Sequence, residues 1–217
     1  MNAVLPPRLP GLEKNRLEAL IDGIFAVALT LLVLDIRLPE NIVVTTNAAL
    51  LDQLLTLERH FVIYVVSFIV IGMYWINHHI QFHFIARVNR RLIWLNLGYL
   101  LLVSFLPFAT DLIGDHETLM LPCEIYGGTL ALLSVFSYLH MQYLARHPEL
   151  ASRDFTPDVA ALVKRRIALF ALVPIVSMAA AFFSTRIAVY TYVLLGMLHF
   201  MPGPVDDRIA APVSESA

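Results

Sequence analysis

An acidic residue inside an apolar run is the first feature of this sequence that invites chemistry. Asp22 stands in the run Leu17-Glu-Ala-Leu-Ile-Asp22-Gly23-Ile-Phe25-Ala26-Val27-Ala-Leu-Thr30-Leu31-Leu-Val-Leu34-Asp35. A carboxylate at such a depth is costly to desolvate. It marks an ion path, a proton relay or a structural anchor held by a neighbour. Arg16 precedes it by six positions, which is not a same-face helical spacing. A pairing of the two would therefore run between helices. On residues alone, both the anchor and the ion- or proton-carrying role stay open.

The same run carries a stripe. Gly23, Val27, Leu31 and Leu34 fall at helical spacing with Thr30 beside them. Such a stripe is either a packing face or a pore wall whose apolar constrictions gate by dewetting. A second polar group follows in Tyr74-Trp75-Ile-Asn77-His78-His79-Ile-Gln-Phe-His83. His79 and His83 share a face at a spacing that metal ligands use. No carboxylate or cysteine completes a set locally, so a polar network without a structural metal is expected. Trp94 and Asn96, further on, offer polar hydrogens to Asp22 or Asn77. Phosphate-binding glycine loops, HExxH, Ser-His-Asp sets and nucleophile elbows are absent, which leaves an enzyme reading without support. No arginine-every-third helix and no TVGYG-type filter occur either.

The elements that position these residues follow from composition. Of 217 residues, 59% are hydrophobic and 15% charged. Soluble domains average about 45–50% apolar and about 25% charged. Fifteen basic against 17 acidic residues argue against nucleic-acid binding, and the single Cys123 excludes an internal disulfide. The chain therefore reads as an all-α membrane protein with six transmembrane helices. Spans are expected at 17–38, 61–80, 92–112, 119–143, 167–183 and 187–201, because lipid cannot satisfy bare backbone. Residues 47–59 predict an interfacial amphipathic helix, Pro157 and Asp158 a helix start leading into the fifth span, and Glu124 a water-facing position. The domain organisation is a cytoplasmic tail (1–16), a membrane domain (17–201) and a flexible cytoplasmic tail (202–217). With six spans, twelve Lys and Arg fall on the side of both termini. Three, Arg37, Arg59 and Arg186, fall on the other, which predicts cytoplasmic termini.

The run Arg16-x-x-x-Leu20-Ile21-Asp22-Gly23-Ile24-Phe25-Ala26 resembles the Arg-x-x-x-Phe-Ser-Asp-Gly-Val-Phe-Ala signature of the transmembrane-protein-175 family of potassium channels. Tyr74-Trp75-Ile-Asn77-His78-His79, Arg90-Arg91-Leu-Ile-Trp94-Leu-Asn96-Leu and Leu106-Pro107-Phe108 are similar to that family as well. Leu20-Ile21 replaces the family's Phe-Ser, which removes a hydroxyl beside Asp22. The resemblance implies a K+-selective leak channel in the cell membrane, assembled as a homotetramer with the first helix lining a central pore. It implies a constriction at Val27, Leu31 and Leu34, and a pore threonine at Thr30. No cofactor is implied beyond the permeant K+. Arg16 and Asp22 are then expected to be structural, bonded to the second or third span through Asn77, His78, Trp94 or Asn96. The rival readings are a proton-coupled secondary transporter using Asp22 and the histidines, and a non-conducting membrane scaffold.

Overall fold

A computed structural model describes residues 13–38, 44–116 and 118–198. Residues 1–12 of the expected N-terminal tail (1–16) and all of the expected C-terminal tail (202–217) lie outside the described residues. The described residues form seven α-helices: α1 Lys14–Leu31, α2 Asn47–Thr56, α3 Glu58–His83, α4 Arg90–Asp115, α5 Met120–Arg146, α6 Pro157–Ala181 and α7 Thr185–Leu198. No strand occurs among them, only one isolated antiparallel bridge, Ile85 to Ala151. Four stretches are long and apolar enough to cross a membrane: 14–35, 58–83, 90–115 and 120–146. In α6, Lys164, Arg165 and Arg166 interrupt the apolar character before Ile167.

Helix starts are written in the local sequence. Thr46 caps α2 by accepting from Ala49 N (3.2 Å), Asn89 caps α4 through Leu92 N (3.0 Å), and Thr156 caps α6 through Val159 N (3.3 Å). Pro157 then occupies the first turn of α6, where its missing N–H costs nothing. This start lies ten residues before the apolar run of the fifth span. Val159, Ala160 and Val163 are buried, so the early turns already pack on the bundle.

The first span differs from expectation at both ends. It begins at Lys14, where Lys14 and Glu18 pair at 3.5 Å, and its α-helix stops at Leu31 rather than Leu38. Leu32–Asp35 continue as a 3-10 turn, closed by Ile36 N donating to Val33 O (3.1 Å). Tightening the last turn gives terminal carbonyls partners they would otherwise lack. Residues 36–38 carry no helix.

The helices pack around one main core. Leu32, Ile71, Val103, Leu106, Leu133 and Met141 are fully buried in it. Tyr74 donates to Leu130 O (2.9 Å) and meets Phe170 edge-on at 4.7 Å, tying α3 to α5 and α6. Gly98 of α4 makes room for the Phe136 ring of α5: a Cβ there would lie 2.5 Å from it. Pro107 sits inside the continuous α4, but Ser104 donates to Leu101 O (2.8 Å) and not to the carbonyl that Pro107 leaves open. At one end of the bundle the α3–α4 and α5–α6 connections are stitched together. Ala86 N donates to Leu150 O and Ser152 N to Phe84 O, both at 2.8 Å. Glu124, expected to face water, is half-buried beside Cys123 at the start of α5.

Candidate functional site

Helix α1 has two unlike faces. Leu17, Ile21, Phe25 and Ala28 are buried against α3 and α4. The opposite face carries Asp22, Gly23, Ala26, Val27, Thr30, Leu31 and Leu34, all exposed on the single chain. Val27 is 56% exposed, Leu31 41% and Leu34 61%. A Cβ on Gly23 would meet nothing within 4 Å, so nothing in this chain requires a glycine there. Periodicity alone leaves both a packing face and a pore wall open. Within one chain, this stripe is not the packing face.

Thr30 sits in the middle of the stripe. Its hydroxyl donates toward the carbonyls of Ala26 and Val27, each 2.9 Å away. That direction leaves the oxygen lone pairs free to accept from, or coordinate, something outside the chain.

Asp22 is held from the side. Trp75 on α3 donates its indole N–H to Asp22 Oδ1 at 2.9 Å, and its ring stacks on His79 (5.7 Å, 28°). The expected partners are arranged otherwise. Asn77 donates to Met73 O of its own helix (3.0 Å). Trp94 is 63% exposed. Arg16 is exposed and makes no ion pair with Asp22. A cavity lined by Glu18, Asp22, Trp75, His78 and His79 separates α1 from the end of α3.

His78 and Asn96 do meet, one layer deeper. His78 Nε2 lies 3.0 Å from Asn96 Oδ1, and both residues are buried. Asn96 Nδ2 donates to Leu92 O (2.8 Å) and reaches His140 Nε2 on α5 at 3.4 Å. An amide oxygen only accepts and an amide nitrogen only donates. His78 therefore carries its proton on Nε2, while His140 presents a bare Nε2. Phe25 of α1 leans on this cluster, 6.3 Å from the His78 ring and 6.1 Å from Tyr99. His79 and His83 are exposed.

Two participants escaped the sequence reading. In the sequence Trp75 stands out only as part of a motif, and His140 belongs to none. A histidine in the middle of an apolar run is itself a signal, and His140 carried it. A second polar group gathers at the other end of α1. His60 Nε2 lies 3.4 Å from Asp115 Oδ1, and Asp35 and Asp111 line the same small cleft as His60.

Residues 16–107 match the family described as the endosomal/lysosomal potassium channel TMEM175. Over 207 residues the chain is 34% identical to a potassium channel of Streptomyces collinus, covering 93% of this chain and 99% of the other. Over 205 residues it is 30% identical to a potassium channel of a Chryseobacterium species, covering 94% and 100%. It superposes on the crystal structure of a lysosomal potassium-selective channel TMEM175 homolog from Chamaesiphon minutus. The TM-score there is 0.72 at 26% identity, over 86% of this chain and 95% of that one.

Proposed function

The chain belongs to the TMEM175 family, and from that premise we propose that it conducts K+ passively through a pore lined by α1 of four copies. Its activity is that of a potassium channel, and it is a multi-pass membrane protein; its relatives are named as ion channels, not enzymes.

One observation carries the pore assignment: the stripe from Asp22 to Leu34 faces away from its own bundle. Lipid is a poor neighbour for that face. An aspartate there costs about 2.5–3.5 kcal/mol on insertion scales, and Gly23 exposes backbone with no local packing in return. Water, or the same face of further copies around an axis, suits it better. A single α1 cannot enclose a path, whereas closed symmetry does so with one sequence.

The residues then divide the work. Val27, Leu31 and Leu34 form the narrow apolar rings, where an ion sheds part of its water and where dewetting supplies a gate. Stripping penalises Na+ more than K+, because K+ holds its water less tightly. The outward lone pairs of Thr30 replace part of what is lost. Asp22, fixed by Trp75, and the His78–Asn96 pair hold α1 against α3 and α4, so their role is structural. Six spans with cytoplasmic termini, in the cell membrane, complete the reading. The spans beyond the four long apolar stretches are α6 from Ile167 and α7.

The test is a reversal potential in planar bilayers with K+ on one side and Na+ on the other, together with K+ efflux from liposomes. A unitary current that follows the K+ gradient supports the reading. Saturable flux that requires a counter-gradient of protons, without unitary current, replaces it with a transporter using Asp22 and the histidines.

A further inference from the structure

The cavity between the start of α1 and the end of α3 measures about 220 Å3. The packing of the two helices builds its floor from Ile21, His78 and Phe82, which are 3%, 2% and 2% exposed. Its rim carries Asp22, Trp75 and His79, all exposed. Glu18 borders it too, but Lys14 already pairs with that carboxylate at 3.5 Å. Asp22 differs. Its only partner among the described residues is the neutral indole N–H of Trp75 on Oδ1, so its charge stays uncompensated there and Oδ2 is open.

The floor supplies a second acceptor. His78 uses its Nε2 proton on Asn96 Oδ1, which leaves Nδ1 as an acceptor with no hydrogen bond among the described residues. The neighbours of these two acceptors decide which cation fits. K+ is held by sets of oxygens that replace its water shell, and here one open carboxylate oxygen stands among rings and an imidazole. A transition metal needs three or four ligands. No group of three His, Cys, Asp or Glu side chains among the described residues is arranged to hold one. An alkylammonium ion matches the set. It brings three N–H donors, a positive charge that the indole ring attracts, and hydrocarbon for the apolar floor.

We propose that this cavity binds a short primary alkylammonium cation, its N–H groups on Asp22 Oδ2 and His78 Nδ1 and its chain against Ile21 and Phe82. The bond from Trp75 holds the carboxylate in place at the rim while the other oxygen meets the amine. Every part of the site comes from α1 and α3 of one chain. Binding there requires neither a tetramer nor a pore, so it stands or falls separately from the conduction reading.

The test is the intrinsic fluorescence of full-length protein carrying Trp94→Phe, which leaves Trp75 as its one tryptophan. Titration with n-butylammonium chloride at constant ionic strength is expected to shift the emission saturably. Methylammonium should bind about tenfold more weakly, because it leaves the apolar floor empty. Asp22→Asn keeps an acceptor for Trp75 but removes the charge, and should weaken n-butylammonium about tenfold. Glu18→Gln should leave the affinity within about twofold, since Lys14 already pairs with that side chain. An emission shift produced equally by K+ marks a site for any monovalent cation and overturns the proposal. Affinity that survives Asp22→Asn overturns it as well. So does methylammonium binding as tightly as n-butylammonium, a comparison that needs no substitution in the cavity and decides the matter even where Asp22→Asn fails to fold.

Discussion

Trp75 donates its indole N–H to Asp22 Oδ1 across 2.9 Å, fastening α3 to α1 at the edge of the exposed face of α1. The bond explains how a carboxylate survives in an apolar helix without a salt-bridge partner. It also makes Trp75→Phe the cleanest probe of the anchor, because the ring remains and only the donor goes. Loss of a hydrogen bond to a charged group costs about 1.5–3 kcal/mol when buried. Asp22 is exposed on the single chain, so about 1 kcal/mol is expected here. The readout is a lower melting temperature in detergent, with Asp22→Ala showing a comparable loss.

The deeper pair should be more expensive to break. Asn96→Leu leaves the buried His78 Nε2–H without its acceptor, a loss of about 1–3 kcal/mol. Trp94→Phe, two residues away, changes an exposed ring and should stay within about 0.5 kcal/mol. Chemical denaturation of the two variants side by side checks the contrast. Equal effects would mean that the His78–Asn96 bond does not carry the packing of α3 on α4.

Two glycines separate folding from assembly. Gly98→Leu collides with Phe136 inside the chain and should depress yield and melting temperature together. Gly23→Leu meets nothing in the chain, so the protein should fold and remain monodisperse. Its K+ current should fall several-fold all the same, because in the proposed tetramer the added side chain projects into the space between the α1 helices. Liposome flux on protein of verified melting temperature distinguishes the two. An unchanged current from Gly23→Leu would place that face against lipid.

The rings and the hydroxyl should separate in the same manner. Leu31→Ala or Leu31→Asn widens or wets the narrow stretch and should raise conductance. Thr30→Val keeps the shape and removes the oxygen, so K+/Na+ discrimination should weaken while conductance persists. Both are read from bi-ionic reversal potentials in planar bilayers. Currents and selectivity indistinguishable from wild type would remove α1 from the pore wall.

The proposed fourfold arrangement is accessible to mass measurement. Native mass spectrometry of detergent-extracted protein should give four chains per particle. A single chain that still conducts would overturn the symmetric pore.

The two faces of α1 were legible in the sequence because the helical period sorts Leu17, Ile21, Phe25 and Ala28 from Asp22, Gly23, Val27 and Thr30. Which face turns inward was not legible, since both are mostly apolar. The caps at Thr46, Asn89 and Thr156 explain where α2, α4 and α6 begin, and Pro157 with Asp158 marks the start of α6 ahead of the apolar run at Ile167. The partner of Asp22 shows a different limit. Trp75, Asn77 and His78 are adjacent in sequence, and each successive residue turns about 100° around α3. Only the azimuth of α3 against α1 decides which of them reaches the carboxylate, and that azimuth is a product of the whole core. His140 joined the network for the same reason, through the packing of α5 on α4.

The 3-10 turn at 32–35 has a geometric consequence for a pore lined by α1. In an α-helix, residues three apart are offset sideways, but in a 3-10 turn they eclipse, and the rise per residue grows from about 1.5 to about 2.0 Å. Leu34 is therefore brought almost directly in line with Leu31 along the helix, about 6 Å away rather than about 4.5 Å. Around the proposed fourfold axis the two leucines would become coaxial collars like stacked washers, with no lateral step between them. A permeating ion then faces one longer insulated sleeve instead of two staggered pinches, and it must stay partly dehydrated for the whole of that length.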